Sequence, residues 1–384
     1  MQYPRIKSIN IKGYRTFKDF SATLSDLEII VGANGAGKTC LFEFLKLLRN
    51  GMTQPISPEV LAGSLGKNVF HVGGEEKIQW QLEIELDETT TLRYLGEILG
   101  PVRSPEIAWE KVEAINERQE PSILLDVKEN SGKIEDKLEE EITALPKELA
   151  LSKIDNPAMV NLYKLREYIG GWKFYNSLNI AREKISQSVL IKPEPILDDD
   201  CGNLSSVLYY LMKERPREFQ ALKLFLKKAI SSFENLNIEK EEPTKKVLAF
   251  IEETEVGDKL NIGELSDGSL RIICWFCVTL NPKLPSLICI DGLGDYLHPK
   301  NFDVLASFLE KTAQITQVFA INHASYLLQC FDVSQTSVIR KERGKNIFVK
   351  PGNSQVIIDI LEDAGQEHLG HLHWSEELEF LPCM

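Results

Sequence analysis

The hydrophobic pattern of the first fifty residues alternates between strand-like and helix-like periods. RIKSINIKGYRTF (5–17) and LEIIVG (27–32) contain alternating or short continuous apolar runs, which are typical of strands. In the following KTCLFEFLKLLRNG, one helical face carries Leu41, Phe44, Leu45 and Leu48, and Gly51 is placed to end the helix. A strand, a glycine-rich loop and a helix therefore follow in order, which predicts an α/β domain.

The pattern changes after residue 52. KIQWQLEIEL (77–86) predicts a strand, and residues 100–122 are interpreted as loop-rich. KIEDKLEEEITAL (133–145) predicts an amphipathic helix, because Ile134, Leu138 and Ile142 recur every four residues among charged ones. This region is therefore interpreted as a mixed insertion.

The second half of the chain returns to alternating helices and strands. Residues 203–233 predict two helices broken near Pro216. KKVLAFIEE, SLICID and TQVFAIN read as strands, and FDVLASFLEKTA reads as a helix. The last thirty residues predict an irregular or helical tail.

Composition narrows the class of protein. The 384 residues, 43% of them hydrophobic, can bury one large core or two smaller ones. The apolar runs are far shorter than the roughly 20 residues that cross a bilayer, and the N-terminus lacks the apolar core of a secretion signal. A cytoplasmic location without membrane association is expected. The net charge of −13 argues against broad binding to nucleic acid. A local basic strip that binds nucleic acid is still compatible with that net charge.

Seven cysteines, an odd number scattered along the chain, suit reduced thiols. Cys274 and Cys277 form a lone CxxC in an apolar run, with no second pair to complete a zinc site. They are expected to be buried core thiols.

The sequence GANGAGKT matches the phosphate-loop pattern G-x-x-x-x-G-K-[ST] between a strand and a helix. Its glycines let successive backbone N–H groups point at phosphate oxygens, and the helix N-terminus favours negative charge. Lys38 would reach the β and γ phosphates of ATP, and Thr39 would hold Mg²⁺. The loop residues are Gly32, Ala33, Asn34, Gly35, Ala36, Gly37, Lys38 and Thr39.

A second candidate anion site lies in GELSDGSLR (263–271). A Ser-Asp-Gly-Ser turn opens an apolar helix there, and the first N–H groups of a helix have no partner inside it. Taken alone, the turn is a helix cap. Its position between an upstream phosphate loop and a downstream strand that ends in Asp291 favours an anion site.

In this order, GANGAGKT, ELSDGSLR, SLICID, LHP and FAINHASYLL resemble the ABC-type ATPases of the RecF, SMC and OLD group. The likeness is greatest to compact AAA-like members without long coiled coils, which often accompany bacterial anti-phage modules of the retron-associated and Septu types. GGWKFYN and LDDDCGNLSSVLYYL also resemble segments of those proteins. The resemblance implies an α/β fold: an ABC-type P-loop ATPase head with a mixed sheet and a helical or mixed insertion.

The resemblance also implies roles for particular residues. Lys38 and Thr39 would bind phosphate and magnesium, and Asp291 would support the metal through water. His323 lies where the family has a histidine that senses the γ-phosphate, and Arg15 where an arginine often contacts the nucleotide. Ser266 and Gly268 would meet the γ-phosphate on the opposite subunit. Because one chain has one loop and one signature, a homodimer or higher homo-oligomer is expected.

Five segments are expected along the chain. They are an ATPase lobe with the phosphate loop (1–51), a mixed insertion (52–185), a helical subdomain (186–250), an ATPase lobe with the signature, the Walker B strand and the histidine switch (251–351), and a C-terminal tail (352–384).

The chain departs from the family at Gly292. The family runs Asp-Glu-Pro-Glu before Leu-His-Pro, whereas this chain has DGLGDYLHP from Asp291 to Pro299. The glutamate that would polarise the attacking water is absent, and general-base assistance typically contributes about 10²–10⁴-fold. Strong ATP binding with weak or slow hydrolysis is therefore expected. Asp295 is either a stand-in or a solvated or interface carboxylate, and a structural turn is favoured for His298.

Three weaker constellations have a structural interpretation and a functional one. Asp126 and Lys128 echo the D-x-K of some nucleases, or mark a surface strand end. The tail residues Glu367, His368, His371 and His373 could bind a metal, or lie at the surface. Residues 198–200 form an acidic loop before Asn203, a candidate helix cap, with partner contact as the alternative.

Three functions follow from these features. The leading hypothesis is a nucleotide-controlled sensor or scaffold for a separately encoded effector, such as a nuclease or toxin, with anti-phage defence implied by the resemblance alone. The alternative is an active DNA-stimulated ATPase of the repair or recombination type. A stand-alone nuclease is the third class and would depend on Asp126.

Overall fold

The computed structural model of the chain describes residues 3–62, 69–115, 120–135, 140–176, 180–254, 259–280 and 284–380. Within these residues the strands form three sheets. The α-helices are α1 (Lys38–Gly51), α2 (Pro58–Ala62), α3 (Val160–Gly170), α4 (Arg182–Ile185), α5 (Leu204–Glu214), α6 (Pro216–Ala229), α7 (Asp267–Leu280), α8 (Phe302–Ala313), α9 (Ser325–Leu328), α10 (Gln355–Ala364) and α11 (His368–Trp374). Short 3₁₀ helices cover Ala150–Lys153, Ile262–Glu264, Pro299–Asn301, Val333–Gln335, Pro351–Asn353 and Glu377–Phe380.

The first sheet is antiparallel and unites the N-terminus with the predicted insertion. Its strands are β1 (Arg5–Tyr14), β2 (Phe17–Thr23), β4 (Lys77–Glu85), β5 (Thr91–Leu99), β6 (Glu106–Ile115), β7 (Pro121–Lys128), β8 (Ser131–Ile134) and β9 (Glu140–Thr143). They lie in the order β2-β1-β4-β5-β6-β7-β8-β9. Every second residue of β4 and β5 is buried, as expected for a sheet with one face against the core.

Two predictions for the insertion were wrong. Residues 131–134 and 140–143 are strands of the first sheet, not parts of a helix, and β6 takes up ten residues of the stretch 100–122 that was interpreted as loop-rich. A spacing of four residues fits a strand as well as a helix, because four is a multiple of the strand period of two. Ile134 and Ile142 are accordingly both buried.

The central sheet positions the candidate site. It contains β3 (Leu27–Val31), β10 (Trp172–Asn176), β15 (Leu287–Asp291), β16 (Gln317–Ile321), β17 (Thr336–Glu342) and β18 (Lys345–Val349). The order is β10-β15-β16-β3-β17-β18, and every pair is parallel except β17 with β18. All five residues of both β3 and β16 are buried, as is typical of a parallel sheet covered on two faces. Their carboxyl ends therefore meet at one edge, together with that of β15.

A third, small sheet packs with the helical half of the molecule. It consists of β11 (Val189–Leu190), β12 (Phe233–Glu241), β13 (Lys246–Glu253) and β14 (Lys259–Asn261), with β13 paired to the other three. The predicted break near Pro216 is confirmed, since Pro216 is the first residue of α6, where its missing N–H is tolerated.

Two hydrophobic cores lie on opposite faces of the central sheet. The first holds α1 and α3 between the central and first sheets. The second packs α5 to α8 against the other face and contains the buried thiols of Cys201, Cys274 and Cys277. The expectation of core thiols at Cys274 and Cys277 is confirmed. In the part of the chain that the structure describes, no helix is long and apolar enough to cross a membrane.

Candidate nucleotide-binding site

The phosphate loop follows β3 directly and depends on two of its glycines. A Cβ at Gly32 would lie 2.0 Å from the carbonyl oxygen of Ile339 on β17, and a Cβ at Gly37 would lie 2.8 Å from the ring of Phe17. Both glycines have left-handed φ values, 139° and 107°, which other residues rarely adopt. Gly35 has φ 76° but faces open space.

The tip of the loop is open to a ligand while its base is fixed. Residues 33–35 are exposed, whereas Ala36, Gly37 and Lys38 are buried. The Ala36 N–H donates to the Ala33 carbonyl at 3.1 Å, and the side-chain amide of Asn346 donates to the Ala36 carbonyl at 2.5 Å. The sequence carries no signal for Asn346, which reaches the loop from β18.

Lys38 is folded into its own loop. Its ammonium donates to the carbonyl oxygens of Gly32 at 2.5 Å and Ala33 at 3.0 Å, and the residue is 5% exposed. Burial lowers the pKa of the Lys38 ammonium, while the negative charges of Glu379 and Asp291 act in the opposite direction. The Lys38 ammonium therefore lies within the phosphate loop, where a bound anion would stabilise its charge.

Thr39 and Asp291 meet although 252 positions separate them. The Thr39 hydroxyl donates to a carboxylate oxygen of Asp291 at 3.3 Å. Burial raises the pKa of the Asp291 carboxyl, and the charge of His323 and the bond from Thr39 oppose that rise. Hydroxyl and carboxylate oxygens are ligands that Mg²⁺ prefers. The pair therefore fits a magnesium ion beside the phosphate loop, and His323 is exposed nearby at the end of β16.

Arg15 lies beside this pair but faces α1. Its guanidinium forms an ion pair with Glu43, and its side chain is 9% exposed. Glu43 is one helical turn after Thr39, and its pKa is raised chiefly by burial. Arg15, Glu43, Thr39 and Asp291 share a cavity of about 610 Å³ with Asn176, which pairs with Asp291 across the sheet.

The Ser266 turn forms a capped helix start. The Ser266 hydroxyl accepts from the Ser269 N–H at 3.3 Å. Arg182, which the sequence did not single out, donates to the carbonyl oxygens of Gly263 (2.5 Å) and Leu265 (2.6 Å) and so holds the turn. Among the described residues, no recorded hydrogen bond or ion pair joins residues 266–268 to residues 32–39.

Gly268 contacts the loop that follows Asp291. A Cβ at Gly268 would lie 2.7 Å from the carbonyl oxygen of Tyr296. The Tyr296 ring in turn stacks over the Arg271 guanidinium, 4.1 Å from the ring centroid. The Ser266 turn and the loop that follows Asp291 are therefore in direct contact within one chain.

Gly292 takes a backbone conformation that suits glycine. Its φ is 82°, and its N–H and that of Leu293 both donate to the Ile321 carbonyl, at 3.2 and 3.0 Å. Asp295 is half-buried, and its negative charge is one of the causes that raise the pKa of Asp291. His298 accepts from the Lys300 N–H at 3.2 Å and caps a short helix, in agreement with a structural turn.

The weaker constellations gain no support as metal sites. Among the described residues, no group of three or more His, Cys, Asp or Glu side chains could hold a metal ion. Asp126 lies within β7. His368 and His371 stack with ring centroids 5.0 Å apart, while His373 turns toward Ser325. Asp199 pairs with Arg49 at 3.0 Å, and Asn203 directly precedes α5.

Comparison with protein families gives a match over most of the chain. Residues 29–329 match the family described as "AAA domain, putative AbiEii toxin, Type IV TA system". A stretch of 59 residues is 42% identical to an uncharacterized protein of Methanocaldococcus jannaschii. That stretch is 15% of this chain and only 7% of that relative's length.

Two Smc heads of known structure are similar to this chain to different degrees. A crystal structure of the Smc head bound to the C-winged helix domain of ScpA is similar with a TM-score of 0.53 at 12% identity, over 91% of this chain and 98% of that one. An Smc head with an extended coiled coil, bound to a domain of ScpA derived from Pyrococcus furiosus, gives 0.49 at 10% identity over 94% and 100%. The first likeness confirms the expected fold class, an ABC-type P-loop head with a mixed sheet.

Proposed function

Because the chain belongs to the AAA-domain family described as "putative AbiEii toxin, Type IV TA system", we propose that it holds Mg-ATP between two copies. We further propose that the bound nucleotide, more than its hydrolysis, controls a separately encoded effector. By family the chain is an AAA-type ATPase, and its fold is similar to that of an Smc head. The proposal concerns what it does with the nucleotide.

One observation supports the proposed binding of Mg-ATP. The Thr39 hydroxyl and the Asp291 carboxylate lie 3.3 Å apart, next to a loop whose buried ammonium faces the cradle. Bound Mg²⁺ would offset the negative charge of the phosphates. Lys38 and the loop N–H groups would hold the phosphates, while Thr39 and Asp291 would orient the metal.

A dimer is proposed because the Ser266 turn and the phosphate loop of one chain share no recorded bond among the described residues. Within the described residues the Ser266 turn bonds to its own helix and to Arg182 and has no recorded bond to the loop. Its free N–H groups suit an anion. A second copy, related by a two-fold axis, would place each turn over the other chain's nucleotide.

The proposal of slow turnover rests on Gly292. The residue that follows Asp291 has no side chain to polarise water, and its φ of 82° is a conformation in which a glutamate is strained by about 1–3 kcal/mol. Asp295, three positions further on, is the next carboxylate along the chain.

Gly292→Glu is therefore expected to raise ATP hydrolysis by less than about tenfold, well short of the 10²–10⁴-fold that a placed base contributes. Phosphate release at saturating Mg-ATP measures this. Gly292→Ala is the control, because it imposes the same backbone strain without a carboxylate. A gain above a hundredfold would show that glutamate alone is missing. Rapid, DNA-stimulated hydrolysis by the wild type would instead favour the repair-type ATPase.

The proposed control of a separate effector protein is supported by the family description. The family description names a toxin and a toxin–antitoxin system, and the sequence resembles ATPases of anti-phage modules. Co-expression with the product of a neighbouring gene tests it. We expect the two proteins to co-purify with an ATP dependence that Lys38→Ala removes. Association that ignores both ATP and Lys38 would contradict nucleotide control.

A further inference from the structure

The residues that lead into the Ser266 turn rest on the end of α4. The Asn261 side chain donates to the Ser186 carbonyl oxygen and accepts from the Gly263 N–H, both at 2.9 Å. A Cβ at Gly263 would lie 2.0 Å from the hydroxyl oxygen of Ser186, the residue that follows α4. The chain before the turn is therefore in tight contact with α4.

Arg182, the first residue of α4, contacts the chain on both sides of Ser266. Its Nη1 atom donates to the carbonyl oxygens of Gly263 and Leu265, at 2.5 and 2.6 Å. Its Nη2 atom forms an ion pair with Asp267, the first residue of α7. The Asp267 side chain is 58% exposed, and exposed ion pairs contribute little to stability. The two carbonyl contacts therefore supply most of the restraint, and the planar guanidinium holds them at fixed angles.

Ser266 lies in a short link between two helices. Leu265 and Ser266 separate the 3₁₀ helix that ends at Glu264 from α7, which begins at Asp267. The first N–H groups of α7 have no carbonyl partner inside the helix and are directed along its axis. A change in the backbone of the link would redirect these N–H groups, so the contacts of Arg182 determine where they point.

The start of α4 is in turn joined to the helix that follows the phosphate loop. The Ala181 N–H donates to the Asp200 carbonyl oxygen at 2.9 Å. The neighbouring Asp199 carboxylate pairs with the Arg49 guanidinium on α1 at 3.0 Å. Arg182 therefore connects the Ser266 turn to a part of the chain that is fixed to α1.

We propose that Arg182 is a positioning residue, which orients the N–H groups of the Ser266 turn toward the nucleotide held by a second copy. This inference rests on the proposed function, since it requires that two copies enclose ATP. One chain would hold ATP through its own phosphate loop, whereas the Ser266 turn would act only across the dimer. Loss of Arg182 should therefore leave ATP binding to a single chain intact and weaken the closure of two chains around ATP.

Arg182→Ala tests the inference, and Arg217→Ala, which removes the same kind of side chain from the exposed first turn of α6, is the matched control. Sedimentation equilibrium with Mg²⁺ and a non-hydrolysable ATP analogue gives the dissociation constant of the dimer. It should rise about tenfold or more for Arg182→Ala, because a hydrogen bond from a charged group contributes at least about a factor of ten. The control should dimerise as the wild type does.

Titration calorimetry gives the second readout, at protein concentrations too low for the chains to associate. Under these conditions Arg182→Ala, the control and the wild type should bind the analogue with equal affinity. A general loss of stability would lower ATP affinity and dimerisation together, whereas a positioning role affects dimerisation alone.

Two rescue experiments separate positioning from a structural role. Arg182→Lys keeps the positive charge without the planar fork, so its dimer should be intermediate in strength. Because the Arg182 side chain is 39% exposed, a free guanidinium ion can enter the position that Arg182→Ala vacates. Guanidinium chloride far below denaturing concentrations should partly restore that dimer, and sodium chloride at the same ionic strength should not.

The outcomes distinguish this inference from the proposed function. A dimer of Arg182→Ala as strong as that of the wild type would overturn the inference. So would a loss of ATP affinity by Arg182→Ala that neither lysine nor guanidinium restores, since Arg182 would then support the fold in general. A wild type that binds no ATP, or that binds ATP without dimerising, would instead overturn the proposed function.

Discussion

Lys38→Ala is expected to weaken ATP binding by about ten- to a hundredfold or more. The ammonium lies within the loop, 2.5 Å from the Gly32 carbonyl oxygen, and is 5% exposed. A hydrogen bond to a charged group contributes about 1.5–3 kcal/mol, and each 1.4 kcal/mol corresponds to a tenfold change in affinity. Titration calorimetry with a non-hydrolysable ATP analogue measures the loss directly.

Lys227→Ala is the control for this prediction. Lys227 lies on α6, does not line the cavity beside Thr39 and Asp291, and has an exposed side chain. Its removal changes the net charge of the protein equally but leaves the loop intact, so ATP affinity should stay close to that of the wild type. If Lys38→Ala bound ATP as tightly as Lys227→Ala, the nucleotide would have to bind elsewhere on the molecule.

Gly32→Ala is expected to have the second large effect, on stability. The new Cβ would lie 2.0 Å from the Ile339 carbonyl oxygen, which β17 holds in place, and φ is 139°. Backbone strain of this kind costs about 1–3 kcal/mol, and overpacking of a tight site adds about 1–3 kcal/mol. The free energy of unfolding should fall by about 2–6 kcal/mol, measured by denaturant titration without nucleotide.

Gly35→Ala separates the steric effect from the loss of a glycine. Gly35 also has a positive φ, 76°, but nothing lies within 4 Å of the position where its Cβ would be. Only the conformational cost remains, so the loss of stability should be about 1 kcal/mol. Equal losses for the two variants would mean that the contact with Ile339 does not restrain the loop.

The local part of the site was predictable from the sequence, because its chemistry lies within eight consecutive residues. A strand, the loop and α1 follow one another, and each has its own periodicity or glycine pattern. The meeting of Thr39 with Asp291 was not predictable from the residues alone. It depends on the order β15-β16-β3, which sets which carboxyl ends lie at one edge, and no short-range pattern encodes that order.

The failed helix at 133–145 shows a limit of periodicity. Apolar residues four apart satisfy both a helix and a strand, so the pattern could not discriminate between them. Glu43 illustrates the opposite case. It lies four positions after Thr39 on α1, so both residues are on one face of the helix. The sequence therefore indicated that Glu43 lies beside the site, where it forms an ion pair with Arg15.

The packing of the C-terminal residues was beyond sequence reasoning for another reason. The last thirty residues were interpreted as an irregular or helical tail, whereas Leu369, Leu372 and Leu378 are buried in the second core. Which core a short terminal segment packs against depends on the arrangement of the rest of the chain and not on a local pattern. The domain boundaries and the individual site roles stay predictions.

The particle mass in solution, measured by light scattering with and without saturating Mg-ATP, tests most directly whether two copies enclose the nucleotide. The chain has a mass of 43.5 kDa. Mg-ATP is expected to double the mass of the wild type and to leave the mass of Lys38→Ala unchanged. A mass that does not change while ATP is bound would contradict the proposed dimer.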